Sequence, residues 1–261
     1  MKSWYILGDI IIVKSSNLSD VREIAVELLR DNPRCRCVVL DRGIKGVQRV
    51  PNRQVVYPED ASPVTVHKEN GVMYEIDVCK LMFSKGNLSE RIRMGMVGKD
   101  EIVIDMFAGI GQLSLPCAKW AHPKKIYAIE INPIAYRYLV RNVKLNKLDN
   151  VIPVLGDSLR VDILEEADRV FMGLIGDPGE IGERVIYIRK AIRFLGGNGI
   201  LHYHESVPTK IRERPLKYLE RAAILEKVSI VPLSIRRVKK FAPGVEHVVV
   251  DVKVEKLKHQ K

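Results

Sequence analysis

Three apolar segments between residues 101 and 158 of this 261-residue chain end in residues whose types and spacing suit them to hold a nucleoside. The first, EIVIDMFAGIGQ at 101–112, breaks at Asp105 into a tight turn containing Phe107, Ala108, Gly109 and Gly111. Glycine adopts positive φ and carries no Cβ, so such a turn lets backbone approach a ligand closely. A glycine turn after a strand is common to many nucleotide folds, but this one lacks the phosphate-loop lysine and the full dinucleotide pattern, so a nucleoside without a pyrophosphate fits better. The second segment, KIYAIEINP, ends on Glu130, twenty-one residues after Gly109. A carboxylate at that strand end can accept both ribose hydroxyls, although an acidic helix start, favoured by the helix dipole, would look the same. The third, VIPVLGDS, ends on Asp157 and Ser158, and Asp157 can accept a hydrogen bond from an adenine amino group.

Together these three strand ends point to an adenosine pocket, with S-adenosylmethionine as the expected co-substrate. Upstream, MFSKGNLSERIRMGMVG is polar and basic around Ser84, Arg91 and Arg93. It reads either as a solvated helical face carrying Glu90, Arg91 and Arg93 or as a lid over the ligand held by the glycine turn. In ILHYHES, His202 and His204 alternate on one strand and share a face, with Tyr203 and Glu205 on the other. Contact with a base, proton acceptance or plain packing all suit the two histidines. A metal is not expected, because no third ligand stands at suitable spacing. Arg236, Arg237, Lys239 and Lys240 precede Phe241 and a Pro243-Gly244 turn. They read as a solvated edge strand or as contacts to RNA phosphates, which position a nucleic acid without reading its sequence.

The elements that must place these residues alternate from residue 101 onward as a doubly wound parallel sheet requires. Strands are expected at 101–105, 125–130, 151–155, 169–172 and 199–204, with helices at about 112–120, 133–145 and 182–194. In the helix 133–145, Ala135, Leu139 and Val143 recur every four residues as a buried stripe. The tail from Ile224 to Val254 holds two or three more strands. Before the sheet, TVHKENGVMYEIDV has the shape of a hairpin turning at Asn70-Gly71. The first sixty residues read as a small α/β unit: a strand at 4–13, a helix capped by Ser19 and running to about Arg30, a strand at 37–40, a loop DRGIKG, and a proline-bounded linker from Pro51 to Pro63. The expected division is a small N-terminal α/β domain at 1–60 and a catalytic domain at 61–261, the latter made of a hairpin and lid segment at 61–98 and a Rossmann-like core at 99–261.

Hydrophobic residues at 46% and charged residues at 29% place the chain among globular proteins. A formal charge of +11 favours a polyanionic partner such as nucleic acid. Cysteines 35, 37, 79 and 117 lack metal-ligand spacing and read as reduced packing residues. No apolar run approaches a signal-peptide core or a membrane span, so a cytoplasmic protein is expected. Oligomeric state is not legible, and a monomer is the simplest case.

The motifs TVHKENG, FSKGNLSER, DMFAGIGQ, AIEINP, LGDS, GGNGILHYHE and RRVKKFAPGVEHVVVDV, in that order from about Val64 to Val254, resemble an archaeal and eukaryal family. That family contains tRNA guanine-N1 methyltransferases acting beside the anticodon and the wyosine-pathway aminocarboxypropyltransferases. The resemblance implies a class I methyltransferase-like, Rossmann-type α/β fold with a doubly wound, mostly parallel sheet. It implies Ser84 and Arg91 as ligands of the methionine moiety, and Phe107 to Gly109, Glu130, Ile131, Asp157 and Ser158 as the nucleoside pocket. After the fourth strand the methyltransferases carry Asn-Leu-Pro, whereas this chain has Met172-Gly173-Leu174, similar to the aminocarboxypropyl branch. The following Leu174-Ile175-Gly176-Asp177-Pro178 departs from the aromatic and histidine residues that branch implies. The reaction so implied is transfer of the 3-amino-3-carboxypropyl group of S-adenosylmethionine to 4-demethylwyosine in tRNA-Phe, with Arg93, His202, His204 and the basic cluster toward the RNA. Methyl transfer to guanine N1 and a catalytically idle tRNA-binding protein are the alternatives.

Overall fold

The computed structural model describes residues 3–45, 50–174 and 181–257. By compactness the chain divides into Met1–Ser84 and Lys85–Lys261.

In the first unit, β1 (Trp4–Leu7) and β2 (Ile10–Lys14) are two antiparallel strands rather than the single strand expected over 4–13. Gly8 between them has φ 59°, and a Cβ there would meet Thr65 Oγ1 at 2.0 Å, so only glycine makes the turn. Helix α1 (Leu18–Asp31) is capped by Asn17, whose side chain accepts from Ser19 N, and not by Ser19 itself. The chain continues through β3 (Cys37–Lys45) and β4 (Val50–Tyr57). Most of the expected DRGIKG loop and half of the expected linker are therefore strand. The sheet order is β1-β2-β3-β4, which puts β4 on an edge where the missing N–H of Pro51 costs no ladder bond. Val21 and Ala25 of α1 pack on Ile11, Val13, Val38, Leu40 and Val56. The hairpin β5 (Val64–Glu69) and β6 (Val72–Asp77) turns at Asn70 and Gly71, with φ 46° and 76°, as the sequence indicates.

The second unit opens with the short helix α2 (Leu88–Met94) and then builds a seven-stranded sheet. Its strands are β7 (Ile102–Asp105), β8 (Lys125–Glu130), β9 (Val151–Leu155), β10 (Arg169–Met172), β11 (Gly199–Pro208), β12 (Val228–Ala242) and β13 (Val245–Lys256). The order is β12-β13-β11-β10-β7-β8-β9; β7 to β11 run parallel, and β13 pairs antiparallel with both β11 and β12. Strand order reverses at β7, and open α/β sheets bind ligands at the carboxyl ends of the strands beside such a point, here β7, β8 and β10.

Alternation along the strands feeds two cores. Val103 and Phe171 face Met94 of α2, Ala118 and Leu139, the last in helix α4 (Pro133–Leu145). Ile104, Val170 and Leu201 face α5 (Ile181–Phe194) and α6 (Arg214–Glu226) on the opposite side. The helix expected over 112–120 is shorter, with α3 (Ser114–Pro116) relaxing into π geometry over Cys117–Ala121. Helix α6, with Pro215 in its first turn, lies just ahead of the strand-rich tail and was not among the expected elements. Leu139 is fully buried on the α4 stripe. Leu139→Ala is expected to lower unfolding free energy by about 2–5 kcal/mol, read as a denaturant midpoint shift at unchanged slope.

Candidate active site

Asp105, wholly buried at the end of β7, starts the site. It accepts from Phe107 N at 3.2 Å and from Ser114 Oγ at 2.6 Å, tying the first residue of the turn to the helix that follows. The next backbone groups are held by both neighbouring strands: Met106 N donates to Phe171 O and Ala108 N to Ile129 O. Gly109 N then donates to Glu130 Oε2 at 2.7 Å, while Asn132 N donates to Glu130 Oε1 at 2.7 Å. One carboxylate therefore locks the glycine turn to the start of α4. From α4 itself, Asn142 Nδ2 donates to Ile110 O at 3.1 Å and fixes the turn's far side.

The two turn glycines do different work. Both have positive φ, 58° at Gly109 and 95° at Gly111. A Cβ on Gly111 would lie 2.5 Å from Leu115 Cγ, so that glycine serves packing. A Cβ on Gly109 would meet nothing within 4 Å, so its bare side faces open space. Of the other expected cofactor residues, Ile131 is exposed and Phe107 is half-buried against Tyr187, with ring centroids 5.3 Å apart. Gly156 N donates to Glu130 O, bringing the end of β9 beside that of β8. There Asp157 Oδ1 accepts from Leu159 N at 2.9 Å and Ser158 is buried. The side chains of Ala108 and Met172 point into opposite cores, which leaves only their backbones for the crevice. Gly173 is close to the turn, since a Cβ there would sit 3.3 Å from Leu113 Cδ1 and 3.9 Å from Phe107 O. Residues 175–178, where the sequence departs from the aminocarboxypropyl branch, lie outside the described residues.

Arg91 and its helix are not a solvated face. Arg91 is 1% exposed and its Nη1 reaches Gln112 Oε1, 3.4 Å away at the end of the glycine turn. Glu90 is also buried, and Arg93 ion-pairs with both Glu90 and Asp251. Ser84 is the last residue of the N-terminal unit, and its part in holding methionine rests on the resemblance alone.

His202 and His204 are 2% and 1% exposed and bond to groups on the neighbouring strands, and both ring nitrogens of His202 are taken, so it has none left for a base. His202 Nδ1 lies 2.6 Å from Asp251 Oδ1 and its Nε2 2.6 Å from Arg169 Nη1. Burial holds its pKa below the usual histidine range despite the aspartate. His204 Nδ1 faces His247 Nε2 at 3.2 Å, and burial presses both pKa values down to about 3, so this pair is neutral. Arg236 is turned inward to Asp251 and Ser234, and Arg237 pairs with Glu246 at 3.3 Å. Of the basic cluster, Lys240 is exposed and Lys239 half-buried on the edge strand β12. Sequence reasoning missed Asp251 and Glu246, the acidic partners of these arginines. Their signal was an acid within or beside the apolar run HVVVDV, on a strand buried on both faces. Among the described residues no group of three or more ligating side chains suits a metal.

A seven-stranded sheet of this order, with a glycine turn after its first parallel strand and carboxylates after the first three, defines a class I methyltransferase-like transferase. Within that class the sequence is specific: residues 65–231 match the TRM5/TYW2 methyltransferase domain and residues 1–61 the TYW2 N-terminal domain, so the chain belongs to the TRM5/TYW2 family. It is 41% identical, over 96% of this chain and 97% of the relative, to the tRNA(Phe) (4-demethylwyosine(37)-C(7)) aminocarboxypropyltransferase of Methanocaldococcus jannaschii. A tRNA (guanine(37)-N(1))-methyltransferase Trm5b of the same organism is 33% identical, over 97% of this chain and 71% of that protein. Two crystal structures superpose on nearly the whole chain. M. jannaschii TYW2 in complex with AdoMet has a TM-score of 0.78 at 36% identity, covering 98% of this chain and 100% of that one. P. horikoshii TYW2 in complex with MeSAdo has 0.83 at 34% identity, covering 98% and 91%.

The electrostatics of Asp105 yield a pH signature. Burial, only partly offset by the bonds from Ser114 and Phe107, raises its pKa to about 6 from 3.8. The folded state thus holds this proton more tightly than the unfolded one, and the group's contribution to stability falls as pH rises from about 4 to about 6, then stays level. Asp105→Asn keeps an acceptor for Phe107 N, reverses the Ser114 Oγ bond so that Nδ2 donates to the hydroxyl, and removes the charge. It is expected to stabilise the fold by about 2–3 kcal/mol at pH 7.5, and thermal melts should show that gain shrinking toward pH 4. A gain that does not vary with pH would contradict the assignment.

Proposed function

We propose that this protein transfers the 3-amino-3-carboxypropyl group of S-adenosylmethionine to C7 of 4-demethylwyosine at position 37 of tRNA-Phe, releasing methylthioadenosine. The observation that carries this reading is the near end-to-end 41% identity to an aminocarboxypropyltransferase, against 33% to a guanine-N1 methyltransferase. Met172-Gly173 in place of Asn-Leu-Pro supports the same branch.

The sulfonium activates all three carbons attached to it, so the protein's task is orientation. Glu130 accepts the ribose hydroxyls while retaining its backbone donors, since each carboxylate oxygen has a second lone pair. Asp157 accepts from the adenine amino group, and Gly109 admits the nucleoside to its open side. The guanidinium of Arg91 pairs with the methionine carboxylate, which turns the γ-carbon toward the base and the methyl away. C7 then forms a bond to that carbon as the carbon–sulfur bond breaks. The electron pair goes to sulfur, giving a neutral thioether, and the C7 proton is lost to restore the ring. Holding the two reactants aligned can supply about 7–11 kcal/mol of the barrier.

The RNA is placed by Arg237, Lys239 and Lys240 on β12 through its phosphates, with residues 1–60 as a separate small domain ahead of a catalytic domain at 61–261. The tRNA substrate makes the cytoplasm the site of action, and no described helix is long and apolar enough to cross a membrane. The reading is tested by incubating the protein with S-adenosylmethionine and tRNA-Phe carrying 4-demethylwyosine, then weighing both products. The expected result is a nucleoside heavier by one aminocarboxypropyl group together with methylthioadenosine. A methylated nucleoside with S-adenosylhomocysteine would assign methyl transfer instead.

A further inference from the structure

Helix α2 has little of its own to hold it in place. It spans seven residues, Leu88–Met94, and no side chain caps its N-terminus. A helix that short is marginal in isolation, so tertiary contacts must fix it. On one side Arg91 points at the glycine turn through Gln112. Two positions along, about 200° around the helix, Arg93 points the other way into a buried charge cluster on the sheet.

The centre of that cluster is Asp251 on β13. Its carboxylate receives Arg93 Nη1 at 3.0 Å and Nη2 at 3.4 Å, His202 Nδ1 at 2.6 Å, Ser234 Oγ at 3.0 Å and the Arg236 guanidinium. Arg93 also donates through Nε to Glu90 at 2.9 Å, so α2 contributes both a cation and an anion. His202 is tied in turn to Arg169, whose guanidinium is held by Glu101 at 2.6 and 2.8 Å. The neutral, desolvated His202 donates one proton to Asp251 and accepts one from Arg169, which sets its tautomer. The chain from Glu101 through Arg169, His202 and Asp251 to Arg93 therefore runs from the start of β7 across β10, β11 and β13 to α2.

We infer that Asp251 is a positioning residue for the reaction, setting the rotation of α2 and thereby the aim of Arg91. Side-chain tips stand about 5–6 Å from a helix axis, so a rotation of 10° moves the Arg91 guanidinium by about 1 Å. A misplacement of that size costs about ten- to a hundredfold when it falls on an orienting group. The inference rests on the reading of Arg91 as the ligand of the methionine carboxylate.

Methylthioadenosine keeps the nucleoside and sulfur of S-adenosylmethionine but has no carboxylate, so the two ligands separate aim from general damage. Calorimetry of Asp251→Asn is expected to show S-adenosylmethionine bound about tenfold more weakly while methylthioadenosine binds as to the parent. Arg93→Lys, which keeps the charge but cannot span Glu90 and Asp251 together, is expected to do the same and carries the test if Asp251→Asn does not fold. In an Arg91→Ala background neither substitution should weaken S-adenosylmethionine further. Equal loss of both ligands, or no loss of either, would overturn the inference while leaving Arg91 in place. If Arg91→Ala itself fails to separate the two ligands, the carboxylate assignment fails and the inference with it.

Discussion

Glu130 bonds in two directions, to Gly109 N and to Asn132 N, each at 2.7 Å. A nucleoside crevice needs hydrogen-bond acceptors at its floor, yet the ends of parallel strands are buried and a carboxylate is costly there unless donors surround it. The glycine turn supplies one donor and the first residues of α4 another, so the carboxylate is tolerated and the turn is fixed by the same contact. Burial still raises the pKa of Glu130 against these bonds. Asp105 answers the same problem one strand away, with Ser114 and Phe107 as donors, and pays more for it. Carboxylates kept in desolvated positions where a neutral residue would fold as well are expected where ligand chemistry requires them.

The ligand proposed for the methionine carboxylate is a cation on a short helix. Arg91 can orient a substrate only if α2 does not roll, and local sequence does little to stop it. The anchor is a balanced set of buried charges. Truncating one partner of such a set leaves an uncompensated charge behind, so these clusters specify geometry more than they add stability. The buried polar face of β11 and β13 belongs to this anchor, which explains why a strand reading HYHE turns its histidines inward. Part of the chain's positive charge is turned inward: Arg93 and Arg236 are committed to Glu90 and Asp251, so fewer cations remain to meet RNA than a formal charge of +11 suggests.

The parallel core was legible because its signals are local and agree with one another. Strands 125–130, 151–155 and 169–172 and helix 133–145 fall where apolar runs, caps and turns put them. The strand-end residues Asp105, Gly109, Glu130 and Asp157 followed from the same pattern. Less legible were features set by sheet position or by partners distant in sequence. Pro51 marks a boundary unless β4 is known to lie on an edge. Gly8 breaks an otherwise uniform apolar run, and its turn is dictated by Thr65, far along the chain. Polarity alone could not tell that Glu90 and Arg93 face inward, because the residues that receive them are some 110 to 160 positions away. Gly109 and Gly111 are identical in sequence terms and differ only through Leu115.

The account turns on Glu130 serving the nucleoside and the turn together. Glu130→Gln leaves a backbone donor facing an amide nitrogen and removes the charge that ribose hydroxyls would meet. Calorimetric titration of this variant with S-adenosylmethionine and with methylthioadenosine is the most direct check. Both affinities are expected to fall by the same factor, at least about tenfold, the scale of a lost hydrogen bond to a charged group. Unchanged affinity for methylthioadenosine would contradict the account.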